Sequence, residues 1–90
     1  MKTDFIFKSR VPDALVYIRE HPNCKKVEIQ RIFGGNGESI DKRMEDLVSN
    51  GLVKRDQVPH FYRYVLTDKG ERITSHIMEI EAIYSMWGEL

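Results

Sequence analysis

The apolar residues between positions 39 and 70 change their spacing at Asn50-Gly51, and that change limits the chain to few folds. Before it, Ile40, Met44, Leu47 and Val48 recur at i, i+4, i+7 and i+8, one stripe of a helix with about 3.6 residues per turn. Lys42, Glu45, Asp46 and Ser49 face the other way. Gly takes the left-handed backbone just past a helix end most easily, so Asn50-Gly51 reads as a stop. Leu52-Val53-Lys54-Arg55 then leaves in extended form. A second extended run at 61–67 is aromatic and β-branched, with Tyr62, Tyr64 and Leu66 on one face and Arg63 and Val65 on the other. A turn carrying Pro59 joins the two runs, and a new helix follows Leu66-Thr67-Asp68-Lys69-Gly70.

Ninety residues support one domain with one small core, since so short a chain buries only about 60% of its unfolded surface. Oligomerisation is a natural remedy. No apolar run approaches the roughly 18 residues of a membrane span, and Phe5-Ile6-Phe7 is too short and too closely flanked by charge for a signal peptide. The expectation is a cytoplasmic protein without a membrane partner. The single cysteine, Cys24, excludes an internal disulfide and fits a reducing compartment. Net charge is zero, which argues against strong nonspecific nucleic-acid binding, but its distribution is uneven. Residues 1–31 carry a net +3 and the hairpin +2, while 38–49 carry −2 and 68–90 carry −3.

Residues 1–11 alternate weakly around Phe5 and Phe7 and read either as a short strand or as a frayed helix. Pro12 and Asp13 suit a helix start; Leu15, Val16 and Ile18 give that first helix a buried side, and His21-Pro22 ends it. Cys24-Lys25-Lys26 is a short extended link before a second helix over 27–33. Gly34-Gly35-Asn36-Gly37 suits a tight turn between two helices. It is not a phosphate loop, because no strand precedes it and no Gly-Lys-Ser/Thr closes it. Either Asn36 or Ser39 caps the third helix, and the choice decides whether Glu38 lies inside it. The last helix, 68–87, is about 30 Å long. Ile73, Ile77, Ile80, Tyr84 and Trp87 are spaced as a heptad seam, and Met78, Ala82, Ile83 and Met86 widen it, so this helix is expected to touch two things at once.

The segments RMEDLVSNGLVKR (43–55) and YVLTDKG (64–70) resemble the recognition-helix and wing signatures of bacterial and archaeal winged-helix regulators. Trp87-Gly88 at the end of the last helix is most similar to the HxlR type, with the PadR and MarR types near, and the resemblance covers 13 to 88. It implies an α+β winged helix-turn-helix with a three-helix core, a two-stranded wing hairpin and a long C-terminal dimerisation helix. One domain would span 1–90, with 1–11 as an extension, 68–88 as the dimerisation helix and the link at Cys24 as the small third strand. The implied function is a sequence-specific, DNA-binding transcriptional regulator acting as a homodimer, without enzyme activity or cofactor and with an effector the sequence does not name. By position, Ser39, Lys42 and Arg43 would enter the major groove, Arg43 equally being placed to brace the wing. Arg55, His60 and Arg63 would be wing contacts, and Lys25 and Lys26 phosphate contacts.

This chain departs from that pattern at Glu38 and Asp41, which sit where small polar or basic residues are common. Each would repel phosphate unless it accepts from a cytosine amino group. The HxlR type commonly carries a cysteine before its first helix; Cys24 lies after it, so a thiol sensor does not carry over. His21, Cys24, His60 and His76 are too scattered for structural zinc, and no orienting third group completes a Cys/His nucleophile. Tyr62 and Tyr64 could stack single-stranded bases, although Tyr64 with Leu66 reads as core. The dimer would use Ile73, Ile77, Ile80, Tyr84 and Trp87, with Phe5 and Phe7 adding to it; the rival account packs this seam onto the first helix of the same chain. Against DNA binding stands a winged helix used as a protein-interaction module, which the acidic third helix and zero net charge permit.

Overall fold

The computed structural model describes residues 4–7, 10–34 and 37–88, with side chains for all of these except 37, 38, 87 and 88. A short 3-10 turn, Asp4–Phe7, precedes α1 (Val11–Glu20), β1 (Cys24–Lys25), α2 (Lys26–Phe33), α3 (Gly37–Ser49), β2 (Val53–Val58), β3 (Phe61–Leu66) and α4 (Asp68–Gly88). The N-terminal alternation is therefore helical, not a strand, in its described part. Helix α3 already includes positions 37 and 38, so Ser39 lies inside the helix and is not its cap; Asn36 falls outside the described residues.

The hairpin β2–β3 pairs from Val53↔Leu66 to Val58↔Phe61, leaving Pro59-His60 as the turn, and β1 adds a short third strand through Cys24↔Tyr64 and Lys25↔Arg63. The sheet order is β1-β3-β2. Asn23, in left-handed backbone at φ 67°, turns the chain into β1 and donates its N–H to the Tyr64 carbonyl at 3.0 Å.

The core lies where the apolar stripes of α1, α2 and α3 meet the inner face of the sheet. Ala14, Leu15, Ile29, Ile40 and Leu47 are fully buried, with Ile18, Met44, Leu52, Val53 and Tyr64 almost so. Tyr62 was expected on the same face as Tyr64, and it is, but at the hairpin tip that face has run past the helices and the ring is exposed. Phe5, Ile73 and Ile77 pack against this core from outside.

A clasp joins the end of α3 to the start of α4. Gly51 stops α3 at φ 74°, as its position predicts. Thr67 donates its N–H to the Leu52 carbonyl at 3.0 Å and its hydroxyl to the Gly51 carbonyl at 2.5 Å. The same hydroxyl accepts the Gly70 N–H at 3.0 Å, capping α4. Gly70 is pressed so closely on Leu52 that an added Cβ would stand 2.0 Å from the Leu52 carbonyl oxygen. Lys69 Nζ closes the clasp on the Asn50 carbonyl at 2.9 Å. The LTDKG stretch is thus a packing device: a small helix-cap hydroxyl and a side-chain-free position at the closest approach of two elements.

Helix α4 splits into two parts. Its first half packs on α1, where Arg19 reaches Ser75 Oγ at 2.5 Å, and buries Thr74, whose hydroxyl has no hydrogen-bond partner among the described residues. Its second half leaves the body of the protein, giving an elongated outline of 50 × 27 × 27 Å. No described helix is long and apolar enough to cross a membrane.

Candidate nucleic-acid interface

Helix α3 turns about 100° per residue, so burying Ile40, Met44 and Leu47 points Lys42 straight outward. Asp41 and Glu45 then fall on one flank of Lys42, and Ser39 and Arg43 on the other. Lys42 is exposed and makes no ion pair with a described residue. Arg43 is half-buried and its guanidinium lies 4.7 Å from the centre of the Phe33 ring. It therefore braces the end of α2, not the wing. Ser39, Lys42 and Arg43 share a recess of about 320 Å³ with Phe5, Val11, Phe33 and Asp46.

On the opposite flank the two carboxylates are engaged. Lys26, the first residue of α2, places Nζ 2.5 Å from Asp41 Oδ1, and this hydrogen bond holds the ammonium above its ordinary pKa. Arg55 of β2 places Nη1 3.1 Å from Glu45 Oε2 and stacks 4.8 Å from the centre of Tyr62. Lys25 of β1 and Arg63 of the wing face an aromatic ring as well: Lys25 Nζ lies 4.5 Å and the Arg63 guanidinium 5.7 Å from the centre of Phe61. Lys25, Lys26, His60, Phe61 and Tyr62 line a groove of about 670 Å³ between the start of α2 and the hairpin tip.

Each sequence-derived position on this side thus has a definite place. Lys26 and Arg55 reach α3 from the start of α2 and the inner face of the wing, Lys25 and Arg63 pair on the opposite face of the sheet, His60 lies in the hairpin turn, Lys42 stands in the middle of α3, and Ser39 and Arg43 border the 320 Å³ recess. What sequence reading did not supply is the pairing of Asp41 with Lys26 and of Glu45 with Arg55, and the use of Phe61 and Tyr62 as backing for the cations. The start of α2 is fixed from below. The Glu28 carboxylate accepts the Lys25 N–H at 2.8 Å and the Tyr17 hydroxyl at 2.6 Å. These bonds, the tyrosine one foremost, hold Glu28 below the usual carboxylate pKa and push Tyr17 above its own. Cys24 is buried behind β1, and burial pushes its thiol up to about 11, so it stays protonated and unreactive at neutral pH.

The positions assigned to self-association divide. Phe5, Ile73 and Ile77 are part-buried against the chain's own core, so packing onto the chain's own body accounts for the first half of the seam. Ile80 is 60% exposed, Tyr84 79% and Phe7 69%, with Met78, Ile83 and Met86 also uncovered. The side chain of Trp87 lies outside the described residues.

No protein-family model matches the sequence, and no curated protein sequence matches it. Solved structures do. The transcriptional regulator SlyA superposes with a TM-score of 0.80 at 16% identity, over 97% of this chain and 63% of that one, so the chain spans under two thirds of SlyA's length. A possible HxlR family transcriptional factor from Thermoplasma volcanium GSS1 gives 0.79 at 20% identity, over 100% of this chain and 84% of that one. FabT of Streptococcus pneumoniae, solved in complex with DNA, gives 0.74 at 14% identity, over 98% and 69%. At such identities the likeness speaks for architecture, and the architecture is unambiguous: the chain has the winged helix-turn-helix fold that these MarR-, SlyA- and HxlR-type regulator structures share.

Proposed function

We propose that this protein is a sequence-specific, DNA-binding transcriptional regulator that acts as a homodimer, with α3 in the major groove and the wing on the phosphate backbone or in the minor groove. The observation that carries the reading is the arrangement around α3: Lys42 points outward from its middle, and cations from the start of α2 and from the wing flank it. Lys42 is placed to reach base acceptors, while Lys25, Lys26, Arg55, His60 and Arg63 would meet phosphates. Ser39 and Arg43 are the weaker assignments, since Arg43 is already held over Phe33.

The homodimer uses the outer half of α4. Ile80, Ile83, Tyr84 and Met86 form an apolar surface that a single copy leaves in water, and a second copy covers it with the same residues across a twofold axis. Phe7 is exposed and available to extend that surface, and Trp87 follows the spacing of the seam. Two copies address half-sites about 34 Å apart and multiply modest individual affinities.

The acidic flank of α3 favours a second reading, a winged helix that binds another protein and has little affinity for DNA. Titrating mixed-sequence duplex DNA across a salt series separates the two. A regulator shows an affinity that falls steeply with log salt, whereas an interaction module shows almost none even at low salt. Selection of bound fragments from a genomic pool then yields a palindromic site for the first reading and nothing enriched for the second.

A further inference from the structure

Asp41 and Glu45 are one helical turn apart on α3, an arrangement of like charges that weakens a helix and that nothing in the fold of α3 requires. Each carboxylate instead meets a cation from a different element, Asp41 the Lys26 ammonium of α2 at 2.5 Å and Glu45 the Arg55 guanidinium of the wing at 3.1 Å. All four side chains are substantially exposed, so these pairs add little to the stability of the fold. Their effect is on the surface. They neutralise two of the cations nearest the outward face of α3, where Lys42 makes no ion pair with a described residue.

We infer that Asp41 and Glu45 are specificity-determining residues that act as internal counter-ions, occupying Lys26 and Arg55 in place of DNA phosphate and so suppressing binding to sequences that α3 does not read. This rests on the DNA-binding reading. A phosphate gains Lys26 or Arg55 only by displacing a carboxylate already in place, and the displaced carboxylate then lies beside the phosphate and repels it. Nonspecific complexes, which have only phosphate contacts, bear that cost without return. A cognate complex offsets it through base contacts made by Lys42 and its neighbours. The same exchange limits the salt dependence, because two cations already neutralised inside the protein release fewer counter-ions from the DNA.

The test compares the unmodified chain with Asp41→Asn, Glu45→Gln and the pair together, on a mixed-sequence duplex at about 50 to 200 mM salt. The double variant is expected to bind about three- to tenfold more tightly at the low-salt end, on the scale of one or two exposed ion pairs. Its salt slope should steepen by about one to two. Each single variant should give part of the change, so the result does not depend on the double variant being well folded. Glu79→Gln removes the same charge from α4, where it pairs with His76, and should leave binding within about twofold. A Lys26→Ala, Arg55→Ala background distinguishes the counter-ion from plain repulsion: there, the two carboxylate substitutions should gain clearly less than in the unmodified chain. An unaltered or weaker affinity in the double variant overturns the inference, and so does an equal gain in the background that lacks the cations. If neither the unmodified chain nor any variant binds at the lowest salt, the DNA-binding reading itself fails and the inference with it.

Discussion

Replacing Gly70 by alanine tests the clasp between α3 and α4, because two well-known tendencies oppose each other there. In an exposed helix interior, Gly→Ala stabilises by about 1 kcal/mol, through lower backbone entropy in the unfolded chain. Here the new Cβ would stand 2.0 Å from the Leu52 carbonyl oxygen and 3.0 Å from its carbon. A carbon–oxygen contact needs about 3.3 Å, so the two backbones must separate by more than about 1 Å. That separation strains the Thr67 N–H bond to the Leu52 carbonyl and the Thr67 hydroxyl bond to Gly51. Overpacking of this kind costs about 1 to 3 kcal/mol and a weakened hydrogen bond about 1 kcal/mol more. The balance is a net loss of about 1 to 3 kcal/mol, which in a domain of this size lowers Tm by roughly 5 to 20 °C. Thermal unfolding followed by far-UV circular dichroism measures it, with the exposed Arg72→Ala in the same helix as a reference expected within about 0.5 kcal/mol of the unmodified chain. A Gly70→Ala protein as stable as the parent, or more so, would refute the clasp as drawn.

Ile80→Asp with Tyr84→Asp should convert a dimer to monomers that keep their helical signal, since both side chains are exposed in the single copy; sedimentation decides, and an unmodified chain that already sediments as a monomer sinks the dimer. Thr74→Val should raise stability by about 1 kcal/mol by removing a buried hydroxyl without a partner among the described residues, and an unmoved urea midpoint would show that the hydroxyl is satisfied. The Cys24 thiol has a folded pKa of about 11 against an ordinary 9.0, so the folded state holds the proton more firmly. Its contribution is whole below pH 9.0 and is lost as pH rises towards 11, by up to about 3 kcal/mol. The stability difference between the parent and Cys24→Ala should therefore shift against the parent across that window, and a constant difference would contradict the burial of the thiol. Lys42→Ala should relax preference at one or two base positions, whereas Arg63→Ala should weaken all sequences alike and lower the salt slope by about one; identical profiles for the two variants would count against placing α3 in the groove.

Much of the fold was legible because its signals are local. The stripe Ile40, Met44, Leu47 needs only helical periodicity, and Gly51 announces its stop through a backbone conformation that side chains resist. The halves of the clasp were each visible as short motifs, but that Gly70 meets Leu52 is a contact between separate elements which no spacing rule encodes. The same limit applies to the candidate interface. Its cations could be placed on elements, yet Asp41 looked only like an acidic departure from pattern and Glu45 only like an outward-facing residue of the helix, because Lys26 and Arg55 reach them from 15 and 10 residues away. The heptad seam has a related limit: periodicity says which side of α4 is apolar, not how far along the helix the chain's own body extends.

The clasp also makes a lever of α4. Thr67, Lys69 and Gly70 bind the base of that helix to the turn that ends α3, so a tilt of one helix is transmitted to the other. A shaft of 21 residues is about 30 Å long, and tilting it by about 10° carries its far end through about 5 Å, more than the roughly 3.4 Å between successive base pairs. In the dimer proposed above, a partner gripping the far end would drive the motion backward: a small change in how two shafts cross would shift the two α3 helices out of register with the double helix while every contact inside each copy stayed intact.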